Sequence, residues 1–174
     1  MIQNWIRSAA VAAMCIATGA GAIAAPSERP AFEFRGITTI PLSQIDKRKV
    51  FRKCVVASSG TLCAMERGDV AGVPAEPPEV LYYGSGAMGV LSVQVNIAFE
   101  DRLLSALIAK YGPPADQQAV SVQRVLGTAV PGKVVRWYFS DGSAVFRSPG
   151  TRTGTSEFMF TSKAPDEPKT VVDF

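Results

Sequence analysis

The stretch 91–111, LSVQVNIAFEDRLLSALIAKY, decides the fold. Its first nine residues alternate. Leu91, Val93, Val95, Ile97 and Phe99 are apolar, and Ser92, Gln94, Asn96 and Ala98 stand between them. A period of two held this long predicts a strand with one buried face. The period then changes. Leu103, Leu104, Leu107, Ile108 and Tyr111 fall on one side of a helix, which predicts a helix over about 100–111. Glu100 and Asp101 suit the positive end of its dipole and Lys110 the negative end. Gly112 stops it, and Pro113-Pro114 forbid continuation.

Downstream the signals are all of strands: Ala119 to Val125, Lys133 to Ser140, and Thr155 to Ser162 with Phe158 and Phe160 inward. Asp141-Gly142 between β-rich runs predicts a two-residue hairpin turn with positive φ at both positions. That turn sets Ser140 against Ser143, Phe139 against Ala144, Tyr138 against Val145, Trp137 against Phe146 and Arg136 against Arg147. One face then carries Val135, Trp137, Phe139, Ala144 and Phe146, which are expected to pack on the 103–111 helix.

Upstream, Phe32 to Arg35 alternates and reads as a short strand broken by Gly36. Thr39, Pro41, Leu42 and Ile45 predict a short second helix over about 40–52. Residues 58–78, rich in Gly, Pro and small side chains, read as a long loop, and Val80 to Tyr83 as a strand closed by Gly84-Ser85-Gly86. The expectation is an α+β domain over 25–162. A mostly antiparallel sheet of five to six strands carries both helices on one face, and 163–174 form a polar tail. The order resembles, in architecture alone, small envelope proteins that lay a helix on an antiparallel sheet. No motif matches residue by residue, so no family or function follows from it.

Residues 1–25, MIQNWIRSAAVAAMCIATGAGAIAA, have the form of a secretory signal. Arg7 supplies the charge, a small-residue apolar run follows, and Ala22-Ile23-Ala24 fits a cleavage site before Ala25. Met14 sits where a lipoprotein site wants a small residue, so Cys15 is expected to leave with a signal peptide of 1–24. Cys54 and Cys63 remain. An even count in an exported protein reads as one disulfide, closing a loop of about 10 residues. Their spacing is not that of a C-x-x-C redox pair. No later segment is long and apolar enough to span a bilayer as a helix. The expected location is periplasmic or secreted.

The 174 residues include no histidine, which removes the commonest general base and transition-metal ligand. The net charge is +3, too weak a bias to argue for nucleic acid. Asp141 is assigned to a turn, and Glu100 and Asp101 to a helix start. Glu76 and Glu79 stand alone in the expected loop region. Ser43, Ser58 and Ser59 lie near lysines without forming an S-x-x-K helix. No nucleotide, zinc, calcium or hydrolase motif is present, and Gly84 to Gly89 joins two strands rather than opening a helix. The sequence implies no catalytic set, no metal and no cofactor.

The densest feature is Lys47, Arg48, Lys49, Arg52 and Lys53, five positive charges in seven residues. It has two readings: a solvated helix end, or an anion site for a lipid headgroup or acidic partner. Arg136 and Arg147, facing each other in the expected register, need either Glu157 or an outside anion to offset them. The C-terminal Val171-Val172-Asp173-Phe174 reads as a tail or an edge strand. Two functions stay open. One is a non-catalytic module that binds another envelope or extracellular protein. The other is an anionic lipid or polyanion binder acting through 47–53.

Overall fold

The structure, a computed structural model, describes residues 29–123 and 128–163. The signal-like segment 1–24, Cys15, Ala25, the tail residues 164–174 and the end of the expected 119–125 strand lie outside them. One turn of helix, α1 (Lys47–Val50), leads into β1 (Phe51–Ala57) and β2 (Gly60–Met65). Two short strands, β3 (Asp69–Val70) and β4 (Val73–Pro74), come next, then β5 (Glu79–Tyr82) and β6 (Met88–Asn96). The helix α2 (Glu100–Tyr111) precedes β7 (Asp116–Gln123), β8 (Ala129–Tyr138), β9 (Gly142–Ser148) and β10 (Thr155–Ser162).

Eight of the strands form one sheet in the order β1-β2-β5-β6-β10-β9-β8-β7, and β3 pairs with β4 separately. Every pairing is antiparallel. The molecule is therefore mainly β, with α2 as its one helix of more than a single turn among the described residues. The expected antiparallel sheet with a helix on one face holds, but strand count and helix number differ.

The decisive stretch follows its periodicity as far as Asn96, but Ile97 and Phe99, expected at the end of the strand, lie in a turn and are only partly buried. Leu91, Val93 and Val95 point inward and are buried. The strand ends at Asn96, whose carbonyl Oδ1 accepts the Ala98 N–H at 2.9 Å, and a 3-10 turn at Ile97–Phe99 re-aims the chain into α2. Leu103 and Leu107 are the buried helix positions. Gly112 takes φ 80°, beyond reach of most side chains without strain, and its N–H closes on the Ile108 carbonyl.

Phe32 fills the centre of the core without belonging to a strand. Its ring stacks on Phe160 at 3.7 Å between centroids and meets Phe139 edge-on at 5.3 Å. Tyr111 joins the cluster against Phe139 and Phe158. The Trp137 indole N–H donates to the Gly112 carbonyl at 3.0 Å, fixing the end of α2 to β8. The expected strand at Phe32–Arg35 is instead an extended lead-in and a single bridge, Phe34 to Ile37, around a turn with positive φ at Arg35 and Gly36.

Three local expectations are corrected. The 40–52 helix reduces to a 3-10 turn at Leu42–Gln44 and the single turn α1. Asp46 caps α1 with no side-chain hydrogen bond, and the β-favouring run Phe51–Ala57 pairs with β2 instead. The expected 58–78 loop instead holds three strands, β2, β3 and β4. Its glycines and prolines punctuate turns, such as Ala71-Gly72 at positive φ between β3 and β4. At Gly60 (φ 142°) a side chain would run into the Tyr82 carbonyl. Cys54 and Cys63 are disulfide-bonded, and they are directly opposed residues of β1 and β2. The bridge therefore staples a hairpin rather than tying down a loop.

The β8–β9 register also differs. Tyr138 faces Ser143, Trp137 faces Ala144, Arg136 faces Val145 and Val135 faces Phe146. The slip is two residues, so every side chain stays on its expected face. Val135, Trp137, Phe139, Ala144 and Phe146 are all buried. The reason lies in Asp141-Gly142. Gly142 does not have positive φ. It pairs with Ser162, and a Cβ there would strike the Thr161 carbonyl and, at 2.5 Å, the Phe160 ring. Asp141 accepts the Phe32 N–H at 2.9 Å and the Thr39 hydroxyl at 3.0 Å. The pair is spent on tertiary contacts, and the connection widens to Phe139–Gly142.

Candidate functional site

The basic cluster forms one corner of the molecule. Lys47 and Lys49 stand exposed on α1, and Arg52 and Lys53 stand exposed on the edge strand β1. Lys49 pairs with Asp46 at 3.2 Å, across two well-exposed side chains. The register of β1 against β2 shifts between Phe51 and Lys53, so the extra residue Arg52 lies in a bulge. Arg48 belongs to α1.

Arg136 and Arg147 lie at the other end of the sheet. From β1 to β8 is six strand spacings, about 29 Å at ~4.8 Å each. The two groups of predicted anion-binding residues are therefore not one site. Nor do Arg136 and Arg147 face each other. Arg136 opposes Val145, and Arg147 opposes Val134 on β8 and Glu157 on β10. Each has an internal carboxylate. Arg136 Nη1 meets Asp116 Oδ2 at 2.6 Å, and Arg147 Nε lies 3.6 Å from Glu157 Oε2. Glu157 is 6% exposed, and its Oε2 has no hydrogen-bond donor among the described residues. The contact to Arg147, with the Ser92 hydroxyl donating to Glu157 Oε1 at 3.4 Å, offsets a carboxylate buried under the chain at Gly150, where an added Cβ would press on Glu157 Cβ at 3.2 Å.

These arginines rim a concavity of about 550 Å³ on the face of the sheet opposite α2. Val120 and Val122 of β7, Val134 of β8 and Val145 of β9 supply its apolar surface, and Pro149 with Gly150 forms a wall. Gly132 lets the wall close. A Cβ there would meet the Ser148 carbonyl at 2.6 Å, Pro149 Cδ at 3.0 Å and Val120 Cγ2 at 3.2 Å. Sequence reasoning named the arginines and missed the valines. The signal was present in the alternation of β7, β8 and β9, which sets Val134 and Val145 on the same face as Arg136 and Arg147.

A second polar group sits where α2 begins. Ser148 donates to Glu100, Ser156 donates to Ser148 at 2.9 Å, and Lys133 reaches Glu100 at 3.3 Å and Asp101 at 2.9 Å. Burial works against the Lys133 charge, but hydrogen bonds to Asp101 and Glu100 outweigh it and hold its pKa above the ordinary lysine value. A lysine held protonated is no general base. The group ties the helix N-terminus to β8, β9 and β10. At the other end of α2, burial opposes the Glu33 carboxylate, and Lys110 at 2.8 Å with the Gly36 N–H outweighs it, so its pKa is lowered. Among the described residues no group of His, Cys, Asp and Glu side chains is placed to hold a metal ion, and no helix is long and apolar enough to cross a membrane.

Compared with protein-family models, with curated proteins and with solved structures, the chain matches none.

Proposed function

We propose that this protein is exported and acts without catalysis, as a binding module for another envelope or extracellular protein. The observation that carries the reading is the concavity of about 550 Å³ on the helix-free face of the sheet. It joins four valines to two arginines, each of which meets its carboxylate partner through a single nitrogen of the guanidinium fork. An apolar floor with a few fixed polar groups suits a protein side chain better than a dissolved ion. The signal-like segment 1–24 and the Cys54–Cys63 disulfide support export.

The test is capture from envelope extract by the wild-type protein and by Val134→Glu/Val145→Glu, with washes at low and then high salt. One protein retained through high salt by the wild type and lost by the variant is the expected result. Equal capture by both, with the variant folded, refutes the assignment to this face.

A second reading rests on a different observation, the exposure of Lys47, Lys49, Arg52 and Lys53 at one corner. Each basic residue near an anionic bilayer contributes about 1 kcal/mol, and salt screens the attraction. Binding to phosphatidylglycerol vesicles should fall steeply with salt and vanish when all five residues of the cluster are changed to Gln. Binding that survives those changes excludes this reading.

A further inference from the structure

The two edges of the main sheet are built differently. At β1 the edge is guarded in two of the ways that prevent strand-to-strand association: a bulge at Arg52 and the charges of Arg52 and Lys53. At β7 none of these devices is present. Asp116–Gln123 pairs with β8 in unbroken register over all eight residues, without a bulge or a proline. Its only charge is Asp116, and that carboxylate is held by Arg136. No described residue pairs with the outward edge of β7.

We propose that β7 is the contact by which two copies of this chain associate, edge to edge and antiparallel about a two-fold axis. The sequence of the strand fits itself. The uncharged run is Gln117-Gln118-Ala119-Val120-Ser121-Val122-Gln123, seven residues with Val120 at the centre. A two-fold axis perpendicular to the sheet keeps the outer face of one copy continuous with that of the other. The paired residue numbers must then have an even sum. The register that pairs the whole run is centred on Val120. It sets Val120 beside its own copy, Gln118 beside Val122, Ala119 beside Ser121 and Gln117 beside Gln123. No charged residue lies opposite another within the run, so the pairing carries no like-charge penalty. The basic corner at β1 lies seven strand spacings away in each copy, about 34 Å at ~4.8 Å each, which is several screening lengths at physiological salt. The contact is isologous, which closes after two copies instead of growing into a fibre.

Val120 and Val122 also line the outer-face concavity. The same symmetry brings the two concavities together along the seam. The inference stands on the composition of the edge and does not require the binding role proposed above.

The experiment is sedimentation equilibrium on the exported, disulfide-bonded protein, from micromolar to millimolar concentration. The wild type is compared with Val120→Lys/Val122→Lys, and circular dichroism checks that both are folded. A wild-type dimer whose dissociation constant rises about tenfold or more in the variant is the expected result, because the axis then sets like charges side by side. A second measurement keeps the register testable if that variant fails to fold. Val120→Cys should form an intermolecular disulfide with itself under mild oxidant. Gln118→Cys mixed with Val122→Cys should cross-link, and the parent chain should not. A wild type that is monomeric at every concentration overturns the inference. A dimer unaffected by the two lysines, or a Val120→Cys variant whose copies do not join, overturns it as well.

Discussion

Replacing Asp141 separates two accounts of one residue. As a turn residue it would serve the β8–β9 connection alone. Asn suits such a turn as well as Asp, so Asp141→Asn would then be neutral. In the structure its carboxylate instead accepts the Phe32 N–H at 2.9 Å and the Thr39 hydroxyl at 3.0 Å. Hydrogen bonds to a charged group contribute about 1.5–3 kcal/mol each. Asp141 is only half-buried, which favours the lower end, so Asp141→Ala should cost about 2–4 kcal/mol. Asp141→Asn keeps one acceptor oxygen and should cost about half as much. The loss should be directional in space as well. Phe32 is fully buried, stacked on Phe160, and is held there by that N–H bond. Urea unfolding measures the stability, and hydrogen exchange at the Phe32 amide measures the tether. A double-mutant cycle with Thr39→Val should show coupling of about 1 kcal/mol. A cost under ~0.5 kcal/mol for Asp141→Ala, with Phe32 exchange unchanged, would refute the tether and return Asp141 to the turn.

Three further outcomes are expected. Tyr82 is fully buried with no partner for its hydroxyl among the described residues, and burial pushes its pKa up to about 12. Tyr82→Phe should therefore raise the urea midpoint, by about 1 kcal/mol of stability, and a clear loss would reveal a partner for the hydroxyl. Reducing the Cys54–Cys63 disulfide, which closes a loop of about 10 residues, should cost about 2.7 kcal/mol, and an unchanged midpoint with reductant would contradict this. Lys133 has a raised pKa in the folded state, so its contribution is complete below the ordinary lysine value and is lost as pH rises through the folded value. The alkaline fall in melting temperature should thus be shallower for Lys133→Met than for the wild type, and parallel curves would count against the ion pairs to Glu100 and Asp101.

What could be read from the sequence is local. Leu91 to Val95 and α2 follow from their two periodicities, though the turn at Ile97–Phe99 does not, and α2 ends where Gly112 and the prolines say it must. The faces of β8, β9 and β10 follow from alternation, even though the β8–β9 register slips by two. Short elements were not legible. The β3–β4 pair is two residues a side and shows no period, and Gly60 is needed for the approach of Tyr82 rather than for a loop. For the candidate site, Arg136 and Arg147 were visible as charges, but Val120, Val134 and Val145 became neighbours only when three strands lay side by side.

The sequence by itself determined the inward faces of β8, β9, β10 and of β6 from Leu91 to Val95, where the main helix starts and stops, that the two later cysteines pair, and that no imidazole is available for chemistry. These depend on the order of residues along a few turns or pleats. Only the tertiary structure decided that Asp141 ties Phe32 into the core, that Arg147 answers a buried Glu157, that the two basic groups lie at opposite ends of the sheet, and that β7 is the unguarded edge. Those are facts about which distant segments meet. They are set by burying the Phe32–Tyr111–Phe158–Phe160 cluster and by completing backbone hydrogen bonds between strands, neither of which acts within one stretch of chain.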